Sequence, residues 1–339
     1  MIAWKETVQV GTTGLRVPRI GLGTAALGNF LEAMNDDDAI AVIRHALDAG
    51  ITYLDTAPLY GHGLAEQRVR AAIAGIPRDR LVLSTKVGRL LREGAPRDES
   101  QYHDGVPFYK DVPSAGPVWD FSADGVRASV AESAARMGVE RFDILHLHDP
   151  DDHLAEASTT GCRGLADLRS RGLARAIGAG MNRTAVQTAL VRACDLDVVL
   201  CAGRYTLLDQ SAMDDLLPAC EDRTVSVVIG GVFNSGVLAD PSSGALYNYV
   251  PASDDVITRA RAIRAVCARH DVPLAAAALQ FPLAHPRVCS VLLGPRTIAE
   301  LEADVELLDV DVPDALWADL LAEGLVRADA PVPAMNRSA

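Results

Sequence analysis

The sequence predicts a closed α/β barrel of the (β/α)8 kind. Three observations carry that expectation. Eight short β-rich runs alternate with amphipathic segments; each run is almost continuously apolar; and no linker, low-complexity stretch or shift of composition divides the 339 residues. Strands that are apolar on both faces belong to a parallel sheet covered on both sides. The strands give no sign of edge protection, so closure fits better than an open sheet. Residues 1–339 are therefore expected to form a single domain, a length that barrels reach as one unit.

Ahead of the first run, VQV and LRVPRI flank the turn GTTG and read as an N-terminal β-hairpin. The eight runs are then IGLGTA from Ile20, ITYLDTA from Ile51, LVLSTK from Leu81 and FDILHLH from Phe142. ARAIGAG from Ala174, DVVLCAG from Asp197, VSVVIGG from Val225 and CSVLLG from Cys289 complete them. Between them, residues 36–49 open on an Asp cluster and stop at Gly50, which places acidic side chains at the positive end of a helix and a glycine cap at the other. Residues 122–137 begin on a Ser cap and close at Gly138. Further helices are expected over 183–193, 211–220, 254–270 and 297–307. From Gly88 to Phe121 no helical period holds. So long a connection, leaving the C-terminal end of a strand, reads as an active-site insertion over 88–121, with a plain surface loop as the alternative. Its aromatics are Tyr102, Phe108, Tyr109, Trp119 and Phe121; they are available to cover a ligand, and Trp119 is a candidate substrate contact.

A formal net charge of −13 argues against a nucleic-acid partner, which needs clustered Lys and Arg. The cysteines Cys162, Cys194, Cys201, Cys220, Cys267 and Cys289 form no C-x-x-C pair, and no His stands at ligand spacing from two of them, so no metal is expected. Several lie in apolar runs and read as buried thiols in a reducing compartment. MIAWKETVQV lacks the apolar stretch of a signal peptide, and no run approaches the roughly 20 apolar residues of a membrane span. A cytoplasmic protein is expected, a monomer or small homo-oligomer, acting on a small molecule without membrane or nucleic-acid partners.

Four polar residues stand at the C-terminal ends of three successive runs. Asp55 ends ITYLD, Tyr60 follows in the next loop, Lys86 ends LVLSTK and His148 ends FDILHLH. A charge that terminates an apolar strand is costly to bury without a partner. Adjacent strand ends of a barrel converge on one rim, so the four should meet. A phenol has an ordinary pKa of about 10; an ammonium beside Tyr60 would favour phenolate, Asp55 would hold that ammonium, and His148 would orient the reacting oxygen. Such a set moves a proton while a hydride moves elsewhere.

VPRIGLGT, AGITYLDTAPLYGHGLAE, LVLSTKVG and FDILHLHDP resemble the aldo-keto reductase superfamily over residues 15–308. The resemblance implies a barrel using NAD or NADP, without metal or flavin. It also implies Tyr60 as general acid/base, Asp55 and Lys86 tuning it, and His148, which precedes DP, contacting the substrate oxygen. AGRYTLLDQSA, GGVFNSGVLA and HDPDDH are similar to the aldose dehydrogenase group, whose members oxidise a cyclic hemiacetal carbon to a lactone. That implies a sugar of the L-fucose, D-arabinose or L-galactose type. A pyridoxal dehydrogenase, a broad aldehyde/ketone reductase and a nicotinamide-sensing regulatory barrel are the alternatives.

The chain departs from the family pattern after the fifth run. GAGMN puts Gly180 and Met181 where Ser and Asn usually hold the carboxamide, leaving Asn182 as the substitute, and Gly230 stands where a Tyr usually stacks. Gly23 and Thr24 are candidate pocket lining. The adenosine end is read from Gly294, Arg296, Glu300 and Asp304. Carboxylates repel a 2′-phosphate and accept from a free 2′-hydroxyl, which favours NAD, whereas Arg296 would favour NADP. Gly21–Gly23 lacks the full glycine fingerprint. His62 is either a substrate contact or a solvated loop residue, and Asp149, Asp151 and Asp152 read as caps rather than metal ligands. Specificity is expected in 88–121 and in the C-terminal segment 310–339.

Overall fold

The computed structural model describes residues 4–333. Eight parallel strands close into a barrel: β1 (Ile20–Gly23), β2 (Tyr53–Asp55), β3 (Val82–Val87), β4 (Ile144–His148), β5 (Ala176–Met181), β6 (Val198–Ala202), β7 (Ser226–Gly230) and β8 (Val288–Leu293). Each pairs with the next, and β8 returns to β1 through Val291↔Ile20 and Leu293↔Leu22. All eight match the apolar runs to within a residue at the ends that overrun, at Val87, Met181 and Val288. Their outward side chains, among them Leu54, Leu83, Leu145, Ile177 and Val199, pack under the helices, whereas Tyr53, Ile144, Ala176, Val198, Val228 and Leu292 fill the inside.

The N-terminal hairpin forms as expected, Thr7–Gln9 against Arg16–Pro18. Its Val10, Leu15 and Val17 join the interior cluster, and Gly11 N donates to Ser226 Oγ at 2.8 Å, at the first residue of β7. The hairpin thus plugs the N-terminal mouth, which leaves the C-terminal mouth for chemistry.

Helix Asp36–Asp48 is capped by the Asn35 side chain on Asp38 N, and Gly50 follows at φ 93°. Ala123–Met137 starts with Ser122 accepting from Gly125 N and ends at a left-handed Gly138. Thr184–Ala193, Asp254–Arg269 and Ile298–Leu308 lie close to their expected bounds, while 211–220 breaks into a 3-10 turn (Ser211–Met213) and a helix over Leu216–Asp222. Helices Leu64–Ile73, Cys162–Ser170, Leu274–Gln280 and Asp314–Ala322 were not legible in the sequence. Leu274–Gln280 is buried nearly all round and so has no polar period, and Cys162–Ser170 follows a π-helical turn, Ala157–Gly161, that shifts the register of its stripe. No helix of the described residues is long and apolar enough to cross a membrane.

The cysteine reading needs a correction, and one alternative for the insertion falls away. Cys162 and Cys194 are joined in a disulfide, and only Cys201, Cys220, Cys267 and Cys289 remain as buried thiols. The two are 32 residues apart and brought together by neighbouring helices, so no spacing announced the pair. The 88–121 segment is not a plain surface loop. Arg89–Arg92 pairs antiparallel with Gly116–Trp119, Tyr102–His103 pairs with Val106–Pro107, and Phe121 is fully buried.

The insertion is rooted where Phe121 covers Gly88. Gly88 has φ 95°, and a Cβ there would fall 2.0 Å from Phe121 Cε1. Gly88→Ala should therefore cost about 3 kcal/mol through overpacking and backbone strain together. Denaturant unfolding measures it; an unchanged midpoint would show that the root of the insertion does not pack as described.

Candidate active site

Strand parity decides which side chains meet. Tyr53 and Ile144 face the barrel interior while Leu54, Leu83, Leu145 and Leu147 face the helices. Side chains alternate along a strand, so Asp55, Ser84, Lys86, His146 and His148 all share the inner face. Register then sets Asp55 beside Ser84 and Lys86 beside His146. Lys86 Nζ donates to Asp55 Oδ2 at 2.6 Å and to Thr56 O at 2.9 Å, and Ser84 Oγ donates to Asp55 Oδ1 at 2.5 Å. Each charged residue is 2% exposed. So deep a pair persists because its polar atoms are bonded; removing one partner of such a pair typically costs about 3–5 kcal/mol.

Tyr60 reaches this pair from the loop after β2. That loop lies against the one after β1 at two glycines: a Cβ on Gly61 would sit 2.4 Å from Gly28 O. Lys86 Nζ lies 4.5 Å from the Tyr60 ring centroid, and the His148 ring stands 5.9 Å away, nearly perpendicular. The structure thus brings together all four residues singled out at the strand ends.

One electrostatic expectation is reversed. Burial, followed by the charges of Asp55 and Asp149, pushes the Tyr60 phenol well above its ordinary range. Lys86 is neutralised by Asp55 at 2.6 Å, so the phenol meets desolvation without a net positive charge to offset it. His148 is held well below its usual value, by burial first and then by Arg89 and Lys86, and is neutral. Its Nδ1 has no partner, and its Nε2 lies 3.5 Å from Asp149 Oδ2. His146, one pleat below, is pushed down to about 3 by burial and Lys86.

Tyr60, Lys86, His148 and Asp149 border a cavity of about 500 Å³ at the C-terminal mouth. Phe30, Phe108, Tyr109 and Tyr249 build an aromatic wall, with Phe30 in edge contact with Tyr249 at 4.9 Å. A Cβ on Gly180 would lie 3.4 Å from Leu200 Cβ and 3.6 Å from Lys86 Cε, so the glycine leaves that stretch of the lining without a side chain beside Lys86. Met181 and Asn182 border the same space, as do Leu200 and Ala202 rather than Gly230.

The other expected contacts are more scattered. Gly23 pairs with Asp55 in the ladder, and Thr24 donates both its N–H and its hydroxyl to Asp55 O at 3.0 Å, so the two support Asp55 rather than border the cavity. Gly294, Arg296, Glu300 and Asp304 gather where β8 leads into helix Ile298–Leu308. Arg296 is already committed: it donates to Phe30 O at 2.8 Å and Glu32 O at 3.1 Å, while its N–H donates to Glu300 Oε2 at 2.7 Å. Half-buried Asp304 is pushed up to about 7 by burial and then by Glu300. Trp119 lines the cavity, but its ring carries the Arg89 guanidinium at 4.0 Å and His153 at 5.2 Å.

Tyr102 stacks on Arg97 at 3.7 Å, and His62 meets Pro113 O at 3.3 Å; neither they nor Phe121 line the cavity. Asp149 pairs with Arg89, whereas Asp151 and Asp152 face Arg183, and no group of three or more His, Cys, Asp or Glu among the described residues is placed to hold a metal. Residues 310–333 contribute nothing to the lining, and 334–339 lie outside the described residues. Sequence reasoning missed Arg89, Phe30 and Tyr249. Arg89 stood one residue past Gly88, close enough to the strand end to have been noticed; nothing marked Tyr249.

A family model described as the aldo/keto reductase family matches residues 19–322. D-threo-aldose 1-dehydrogenase of a Pseudomonas species is 43% identical, over 92% of this chain and 96% of its own. Pyridoxal 4-dehydrogenase of Microbacterium luteolum is 37% identical over 95% and 98%. Among solved structures, the holo form of an aldo-keto reductase from Bacillus halodurans superposes with a TM-score of 0.73 at 26% identity, covering 97% of this chain and 99% of that one.

A phenol with a raised pKa keeps its proton to beyond pH of about 10. Ultraviolet difference titration of the cofactor-free protein against Tyr60→Phe should accordingly show no phenolate step at neutral pH. A step between roughly pH 7 and 8 would mean that the Lys86 charge outweighs burial after all.

Proposed function

We propose that this chain, which belongs to the aldo/keto reductase family, oxidises an aldose at its anomeric carbon to the lactone. It is an NAD(P)-dependent oxidoreductase; the aldose and the preference for NAD are our reading. The observation that carries it is the buried Lys86–Asp55 pair beneath Tyr60, beside a neutral His148, at a cavity of about 500 Å³. The 43% identity to D-threo-aldose 1-dehydrogenase over most of both chains supports the sugar.

The nicotinamide, when bound, accepts or supplies the hydride; Gly180, Met181 and Asn182 would border its ring. The chain's own residues handle the proton. In the reductive direction Tyr60, kept protonated by burial, donates to the substrate oxygen, and His148 fixes that oxygen. In the oxidative direction Tyr60 must first lose its proton, and Lys86, 4.5 Å from the ring centroid, is a cation beside the phenolate whose field Asp55 reduces. Ser84 and Thr56 O keep Lys86 and Asp55 in place, so the field at Tyr60 does not relax during turnover. At the adenosine end Glu300 and Asp304 oppose a 2′-phosphate, while Arg296 is spent on the carbonyls of Phe30 and Glu32.

Oxidation should speed up and reduction slow down as pH rises, since one needs Tyr60 without its proton and the other needs it with. Tyr60→Phe should lose at least about 100-fold in kcat; unchanged turnover would remove Tyr60 from the mechanism. An assay of aldoses, simple aldehydes and pyridoxal, followed by identification of the product, tests the sugar: turnover of pyridoxal with no lactone from any aldose overturns it.

KM for NADP should exceed that for NAD by about tenfold, equivalent to about 1.4 kcal/mol. Because Asp304 is pushed up to about 7, it is protonated below that pH and charged above it, so discrimination against NADP should widen as pH rises through neutrality. A preference for NADP would instead show that Arg296 leaves the carbonyls for the phosphate.

A further inference from the structure

Asp149 and Arg89 are not among the four residues of proton transfer, yet both are built into the same cavity. Asp149 follows β4 in a left-handed conformation, φ 41°, which a non-glycine residue adopts only at a cost. Its N–H is tied to Gly180 O at 3.1 Å. Strain held this firmly beside a reacting centre is a common sign of function.

The carboxylate lines the cavity with 28% of the side chain exposed. Its Oδ2 accepts from Arg89 Nη2 at 2.8 Å and lies 3.5 Å from His148 Nε2. Burial first, then Asp149, pushes up the Tyr249 phenol across the cavity.

Arg89 is 3% exposed and lies against the Trp119 ring, and its Nε and Nη1 are buried without any partner. A carboxylate held by a guanidinium on one oxygen, with acceptor capacity to spare, is complementary to a hydroxyl donor. It is not complementary to an anion. Asp149 already balances Arg89, as Asp55 balances Lys86, and the rest of the lining carries three carboxylates, Asp98, Asp151 and Asp152, against the single cation of Arg183.

We propose that Asp149, held in place by Arg89, accepts a hydrogen bond from the substrate hydroxyl next to the reacting carbon, so that the site selects uncharged polyhydroxylated substrates over plain or anionic carbonyl compounds. The inference rests on the reading of Tyr60 and His148 as the contacts of the reacting oxygen. Asp149 is thereby a specificity residue, and Arg89 a positioning residue.

The test is a ratio, which a merely structural role leaves unmoved. In the reductive direction the wild type should prefer glyceraldehyde to propanal by at least tenfold in kcat/KM and should take glyceraldehyde 3-phosphate at least 100-fold less well than glyceraldehyde. In Asp149→Asn, a residue that accepts the left-handed conformation, the glyceraldehyde-to-propanal ratio should fall at least tenfold. Arg89→Gln/Asp149→Asn, which leaves no unpaired guanidinium, should show the same fall and guards against a misfolded single variant. Equal losses for both aldehydes, no change in the ratio, or ready use of the phosphate would each overturn the proposal. Lactone from an aldose with an unmoved ratio sinks this inference alone. A ratio that depends on Asp149 without lactone from any aldose supports it and sinks the anomeric reading instead.

Discussion

Two opposite charges placed where water cannot reach organise the C-terminal mouth of this barrel. Lys86 and Asp55 come from neighbouring strands, each on the inward parity, and are bonded by Ser84 and by the carbonyl of Thr56. Taking two ions out of water is unfavourable, and their attraction compensates only when geometry is good and the remaining polar atoms are occupied. Strand register supplies that geometry. The loop after β2 is threaded past Gly28 so that Tyr60 lies beside the ammonium, and Thr24 spends its hydroxyl on the carbonyl of Asp55.

The pair also explains why the phenol is less acidic than a lysine neighbour suggests. An ammonium acts on a distant group through its net field, and a carboxylate at 2.6 Å removes most of it. Burial is then the dominant influence on Tyr60, as on His146 and His148, but with opposite consequences: the phenol keeps its proton, and the imidazoles stay neutral. A neutral imidazole and a protonated phenol beside one another form a site that can hold and protonate an oxygen.

The two ends of the barrel are treated differently. The N-terminal hairpin fills one with Val10, Leu15 and Val17, whereas the other is enlarged by Gly180 and Ala202 and then roofed by the insertion that leaves β3 at Gly88. That roof is ordered by its own antiparallel pairing and by Phe121 beneath Gly88, and it delivers Arg89, Phe108, Tyr109 and Trp119 to the cavity. Arg296 ties the segment at Phe30 and Glu32 to the turn ahead of helix Ile298–Leu308.

The barrel, its eight strands, its plugging hairpin and the four proton-transfer candidates were legible in the sequence because each leaves a local mark. Strands buried on both faces are continuous apolar runs, helix ends carry Asn, Asp, Ser and Gly, and a charge ending an apolar run has few bland explanations. Helix Leu274–Gln280 left no such mark because burial on all sides erases polar periodicity. What only the tertiary structure decided depends on groups distant in the chain: the balance of charge that sets the Tyr60 proton, the Cys162–Cys194 bond, the commitment of Arg296 to backbone carbonyls, and the pairing of Arg89 with Asp149. Electrostatic and covalent partners are chosen by separation in space, and a linear pattern records a side chain's identity but not the charge that comes to rest beside it.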